Sequence, residues 1–153
     1  MNRTQIASLV LSALALVGIA THEGYTDQAV IPIKGDVPTI GFGSTGGVKM
    51  GDKTNPVQAL QRTMRDIEAK ESAVKKCVHA PLYQYEYDAY ISLAYNIGTG
   101  NFCSSRLVQK LNAKDYAGAC KEILRWNRAQ GRVIKGLTIR RQKEYQQCIG
   151  TSQ

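Results

Sequence analysis

The sequence predicts an α+β fold in which a small β-hairpin lobe sits beside a larger, all-helical lobe. Three observations carry that expectation. Thr39, Gly41 and Gly43 alternate with Ile40 and Phe42, the period of a short strand. From Thr54 onward apolar residues recur instead at helical spacing. The chain has 153 residues without repeat, linker or low-complexity block, which is one domain with room for a core. A cleft between two such lobes is the expected ligand site.

The first element is an apolar run. No residue from Thr4 to His22 carries a formal charge, with Arg3 before it and Glu23 after. Its heart, Ile6 to Ala20, is 15 residues, seven of them Ala, Ser or Gly. A stable membrane span needs about 20 strongly apolar residues, so the hold of this run on a bilayer is marginal. It reads as a cleaved secretory signal, with small residues at Gly18-Ile19-Ala20, as a permanent anchor, or as a weak uncleaved anchor.

Next, Ala29 to Ile33 reads as an edge strand, because Pro32 cannot donate to a central ladder. Lys34-Gly35-Asp36 supplies the turn, and Val37 to Phe42 returns as the second strand. Gly46, Gly47 and Gly51 mark a loop. Thr54 and Pro56 open a long amphipathic helix to about Lys76, with Val57, Leu60, Met64, Ile67 and Val74 on its apolar face. Pro81 precedes a tyrosine-rich helix, Tyr83 to Ile97, expected to be central, and Gly98-Thr99-Gly100-Asn101 ends it. Ser104 or Ser105 caps a helix to Asn112, and another runs from Tyr116 to Trp126. Arg128 to Gly136 is a basic turn, and Leu137 to Ile149 closes the chain as a helix.

Twenty Lys and Arg against twelve Asp and Glu give a formal charge of +8. Such a surface prefers polyanions: nucleic acid, anionic lipid or an anionic wall polymer. Cys77, Cys103, Cys120 and Cys148 lack the close spacing of a zinc or redox motif. Behind an export-type N-terminus they suggest two disulfides, with three pairings open. Two histidines exclude a three-histidine zinc site, and there is no H-E-x-x-H, G-x-S-x-G, P-loop or dinucleotide fingerprint. Arg125, Arg128, Arg132, Lys135, Arg140 and Arg141 make a basic cluster that nucleic acid could use, but export and disulfides place the chain away from it.

Cleaving a glycosidic bond needs a carboxylic acid to protonate the leaving oxygen and a second group to hold water or stabilise the sugar cation. Glu23 suits the first role; Asp36 and Thr39, on the hairpin, suit the second. The bland readings are a solvated glutamate at a helix end and an aspartate in a turn.

Six motifs in order turn this into a family expectation. Glu23-Gly24-Tyr25, Pro38-Thr39-Ile40-Gly41-Phe42-Gly43, Leu82 with Tyr87-Asp88-Ala89, Tyr95-Asn96-Ile97-Gly98-Thr99-Gly100-Asn101-Phe102, Leu107-x-x-Lys110-Leu111-Asn112, and Arg125-Trp126 with Gly136-Leu137-x-x-Arg140-Arg141 resemble the phage-type lysozymes, over nearly all the chain after the apolar run. The resemblance implies a lysozyme-like fold and hydrolysis of the β-1,4 bond between N-acetylmuramic acid and N-acetylglucosamine in peptidoglycan, by a monomer without metal or cofactor. It makes Glu23 the general acid and Thr39 the threonine of the triad, puts Asn96 and Arg141 on the substrate side, and pairs Arg141 with the glutamate. It also pairs Cys77 with Cys103 and Cys120 with Cys148. In one place the chain departs from the family: the usual aspartate position falls on Pro32 or Ile33, and Asp36 is the nearest acid, ahead of Asp27 as a substitute. The apolar run further resembles the signal-anchor-release endolysins, tethered inactive at the outer face of the inner membrane and then released to the periplasm. On that resemblance residues 1–22 are the release segment, its later part supplying the first helix, and residues 23–153 are the muramidase domain. No cysteine precedes Cys77, so no thiol blocks the site in the tethered state.

Overall fold

The computed structural model describes residues 2–151. It divides into two compact units, one of residues 13–69 and the other of residues up to 12 together with those from 70 on.

In the unit of residues 13–69, helix α1 (Ala13–Glu23) leads into strand β1 (Thr26–Val30), which pairs antiparallel with β2 (Thr39–Gly41). Thr26 faces Gly41 and Val30 faces Thr39, so β1 carries extra residues and bulges between the two pairs. β1 lies three residues earlier than the sequence suggests and β2 is shorter, for local reasons. β1 stops at Val30, before Pro32, and residues 31–38 form the turn. Pro38 has no N–H for the ladder, and Gly41, at φ 64°, turns the chain out of β2. The other edge of β1 is covered, since the Ala29 amide donates to the Asp52 carbonyl and Thr54 to that of Asp27. Ala29, Ile40 and Val48 form the small core beneath. Helix α2 (Pro56–Cys77) begins in this unit.

A Cβ on Gly41 would lie 2.7 Å from the Ala59 Cβ and 3.3 Å from its Cα, both fixed by α2. Gly41→Ala therefore combines a left-handed conformation with a backbone clash and should cost about 3 kcal/mol, read as a lower urea midpoint at unchanged m-value. An unshifted midpoint would show that this turn is not held against α2.

The other unit is helical: the last turns of α2, then α3 (Gln84–Ile97), α4 (Thr99–Cys103), α5 (Arg106–Asn112), α6 (Tyr116–Ile123) and α7 (Lys135–Cys148). As expected, α3 is central, with Tyr87, Ala89, Tyr90, Ile91, Leu93 and Ala94 all buried. Its tyrosines divide between core and rim: Tyr87 and Tyr90 are inside, and their hydroxyls meet Glu71 at 2.7 Å and the Cys120 Sγ at 3.7 Å. Ser105 is the cap of α5, its Oγ accepting from the Val108 amide. Helix α4 is absent from the sequence reading, because Gly98 and Gly100 look only like a stop. What sustains that turn is long-range: Phe102 is buried and Cys103 is bonded to Cys77. The second disulfide joins Cys120 and Cys148, so both pairs are those the resemblance implied. Helix α6 ends at Ile123 rather than Trp126. The basic turn after it is a two-strand hairpin, β3 (Arg128–Ala129) with β4 (Arg132–Val133), turned by Gln130 and Gly131 at φ 50° and 76°.

Candidate active site

Glu23 is the last residue of α1 and is half-buried. Gly24, at φ 70°, ends the helix in the left-handed conformation and sends the chain into β1. The glutamate lies against bare backbone. A Cβ on Gly43 would sit 3.1 Å from Glu23 Oε2, and Gly43 has φ 87°, so the strand's glycine leaves room for a carboxylate. Tyr25 and Phe42, close in sequence to Glu23 and Gly43, pack with ring centroids 5.3 Å apart. That the neighbour of Gly43 is Glu23 needed the fold.

The two hairpin candidates both bond the backbone of one residue, Val37. Asp36 Oδ1 accepts from the Val37 amide at 2.9 Å, and Thr39 Oγ1 donates to the Val37 carbonyl at 3.3 Å. Asp36 is exposed in the turn, its own amide bonded to the Ile33 carbonyl; Thr39, at the start of β2, is half-buried. Asp27 is exposed on β1. Thr26, which the sequence reading passed over, has a buried Oγ1 without a hydrogen-bond partner among the described residues.

In the helical unit, Asn96 is exposed near the end of α3 and Arg141 is wholly buried in α7. Arg141 Nη1 donates to Asn96 Oδ1 at 2.7 Å and to the Trp126 carbonyl at 3.3 Å. Its Nη2 donates to Glu144 Oε1 at 2.9 Å, and its Nε lies 2.6 Å from Oε2. Glu144 Oε1 also accepts from Ser92 Oγ at 2.7 Å and Arg140 Nε at 3.3 Å. The carboxylate that Arg141 holds is thus Glu144, one turn along its own helix. Burial lowers the pKa of Arg141, and the charge and hydrogen bonds of Glu144 oppose that shift. The sequence signal for this partner was the i, i+3 and i, i+4 spacing of Arg141 and Arg140 to Glu144.

A carboxylate seated on glycine backbone, beside a hairpin with an acid and a hydroxyl, can serve acid catalysis of glycoside cleavage. Comparison with known proteins gives it a family. The phage lysozyme family model matches residues 20–144. The SAR-endolysin of Pseudomonas phage phiKMV is 37% identical over 145 residues, 92% of this chain and 89% of its own. Among solved structures, the endolysin from Escherichia coli O157:H7 phage FAHEc1 superposes with a TM-score of 0.83 at 31% identity, over 94% of this chain and 96% of that one. The muramidase domain of SpmX from Asticaccaulis excentricus gives 0.85 at 26% identity, over 92% and 98%. The α+β scaffold and a family match running from before Glu23 to Glu144 agree: the chain belongs to the phage lysozyme family and is a glycoside hydrolase of the muramidase type.

Proposed function

We propose that this lysozyme is an endolysin that hydrolyses the β-1,4 bond between N-acetylmuramic acid and N-acetylglucosamine in peptidoglycan, tethered by its N-terminal run until release into the periplasm. Glu23 is the general acid: its carboxyl proton passes to the leaving glycosidic oxygen as the bond to the anomeric carbon breaks. Water then adds to the anomeric carbon, and its proton is taken up by a carboxylate. Asp36 and Thr39 are the groups proposed to hold that water, each hydrogen-bonded to the backbone of Val37. Asn96 is the substrate-facing side chain of the helical unit; Arg141, being buried, acts through it as a positioning residue.

Asp36→Asn tests the least familiar of these assignments. The amide still accepts from Val37, so the turn survives, while turnover should fall about 100-fold if the charge is used. A variant as active as the parent removes Asp36 from the mechanism.

The observation that carries the tether is where α1 lies. It runs Ala13–Glu23, so its residues up to His22 come from the apolar run and it ends on the proposed acid. Cleavage after Ala20 would remove most of the helix that seats Glu23. Among the described residues no helix is long and apolar enough to cross a membrane, and α1 has 11 residues. In this reading the same residues therefore have two homes, lipid and protein, close enough in free energy to switch. N-terminal sequencing of the active, soluble enzyme tests this: it should retain the residues before Ala13, and a start at Thr21 overturns the uncleaved tether.

A further inference from the structure

Gly43, whose bare backbone receives Glu23, belongs to a turn that is closed on itself. The Ile40 amide donates to the Ser44 carbonyl at 3.0 Å, and the Ser44 amide to that of Ile40 at 3.1 Å. Gly41 and Gly43, at φ 64° and 87°, let the three residues between them and around Phe42 make so tight a loop. Glu23 meets this loop along the length of its side chain. A Cβ on Gly43 would lie 3.1 Å from Oε2, 3.6 Å from Cβ and 3.7 Å from Cδ.

The loop is fixed to α2 at two places. At one end Gly41 packs on Ala59, leaving no room for a Cβ. At the other end Ser44, only 2% exposed, donates its hydroxyl to Asp66 Oδ2 at 2.6 Å. Ala59 and Asp66 are about two helical turns apart and so share a face of α2. The first contact is apolar packing; the second is a charge-assisted hydrogen bond, short and directional. Among the described residues Asp66 pairs with no cation, so this carboxylate is directed at the serine alone. Without that bond the loop would be held to the helix only through Gly41, and Gly43, the neighbour of Ser44, could shift away from Glu23.

We propose that Ser44 and Asp66 are positioning residues for the general acid. Their bond pins Gly43 to α2, and the pinned backbone sets the direction in which Glu23 presents its proton. Neither residue is itself catalytic; both act through Gly43. Proton transfer needs the acid within hydrogen-bond reach of the leaving oxygen, and a small misplacement lowers turnover steeply. The inference rests on Glu23 being the acid, as read above, and the experiment separates the two.

On soluble peptidoglycan fragments, Ser44→Ala and Asp66→Ala should each lower kcat about tenfold while KM stays within about twofold. Asp66→Asn keeps an oxygen that accepts from Ser44 and should recover most of that loss. The two alanine variants combined should be no worse than the poorer single one, because both remove the same bond. Placed in Glu23→Gln, Ser44→Ala should change the residual rate less than about twofold, since no proton is left to aim. A bond that merely stabilises the fold would lower the urea midpoint and leave kcat of the folded enzyme at the parental value. That result overturns the proposal, and so does a further tenfold loss in the Glu23→Gln background. If Glu23→Gln alone keeps parental turnover, the acid reading falls and this inference falls with it, whatever Ser44→Ala does. Should Asp66→Ala fail to fold, Ser44→Ala decides: it removes one oxygen and leaves the backbone bonds of the loop, and parental kcat there overturns the proposal.

Discussion

Glu23→Gln should leave a folded protein that no longer clears permeabilised cells, with turnover reduced about 1,000-fold, the scale of a lost general acid. The substitution is nearly isosteric. The amide occupies the place of a carboxylate that already fits against Gly43, where a Cβ would come within 3.1 Å of Oε2, so the fold should be kept. What is lost is the proton. Release of reducing ends from purified peptidoglycan measures the chemistry, and sedimentation with the wall measures binding. The expected pattern is cleavage gone and binding kept, since attraction between a chain of charge +8 and a polyanionic wall does not need the acid. Lysis that persists in the variant would mean that the protein damages cells by charge alone, and the enzymatic assignment of Glu23 would fall.

The second large effect is on stability. Arg141→Ala should cost about 3–5 kcal/mol, because it strands Glu144 in the interior. Glu144 is 4% exposed and Arg141 is fully enclosed, so water cannot replace the lost cation. Arg140 and Ser92 remain at 3.3 and 2.7 Å from Oε1, which places the effect toward the lower end of that range. Against a typical net stability of about 5–15 kcal/mol this is severe, and a urea titration resolves it. Arg141→Lys should rescue little: one ammonium cannot span both Glu144 oxygens, Asn96 and the Trp126 carbonyl. Adding Glu144→Gln to Arg141→Ala should recover part of the loss, since the stranded charge goes with it. A single substitution costing less than about 1 kcal/mol would show that the pair is not held as described.

The helices were legible in the sequence wherever one face of the chain meets core. Ile67 and Val74 on α2, and Leu107, Val108 and Leu111 on α5, announce themselves by spacing, and Ser105 by its cap. Legibility failed where long-range contacts decide. Gly98 and Gly100 hid α4, which exists because Phe102 and the Cys77–Cys103 bond hold it. The length of β2 failed for the opposite reason: alternation continues through Val37 and Phe42, while Pro38 and the left-handed Gly41 stop the ladder around them. At the site, Glu23, Asp36 and Thr39 could be nominated from residue type and order. That Asp36 and Thr39 both bond the Val37 backbone and that Gly43 backs Glu23 are facts of three-dimensional placement, without periodicity to betray them; the Arg141–Glu144 pair alone had a helical spacing to signal it.

The covalent cross-links have one further implication. They join first cysteine to second and third to fourth, over 26 and 28 residues, so the two loops they close neither overlap nor nest. A chain delivered amino end first can oxidise each thiol with the next one to emerge, and no wrongly joined intermediate has to be undone. Pairing in the order of emergence therefore yields the native bonds without a thiol–disulfide exchange step.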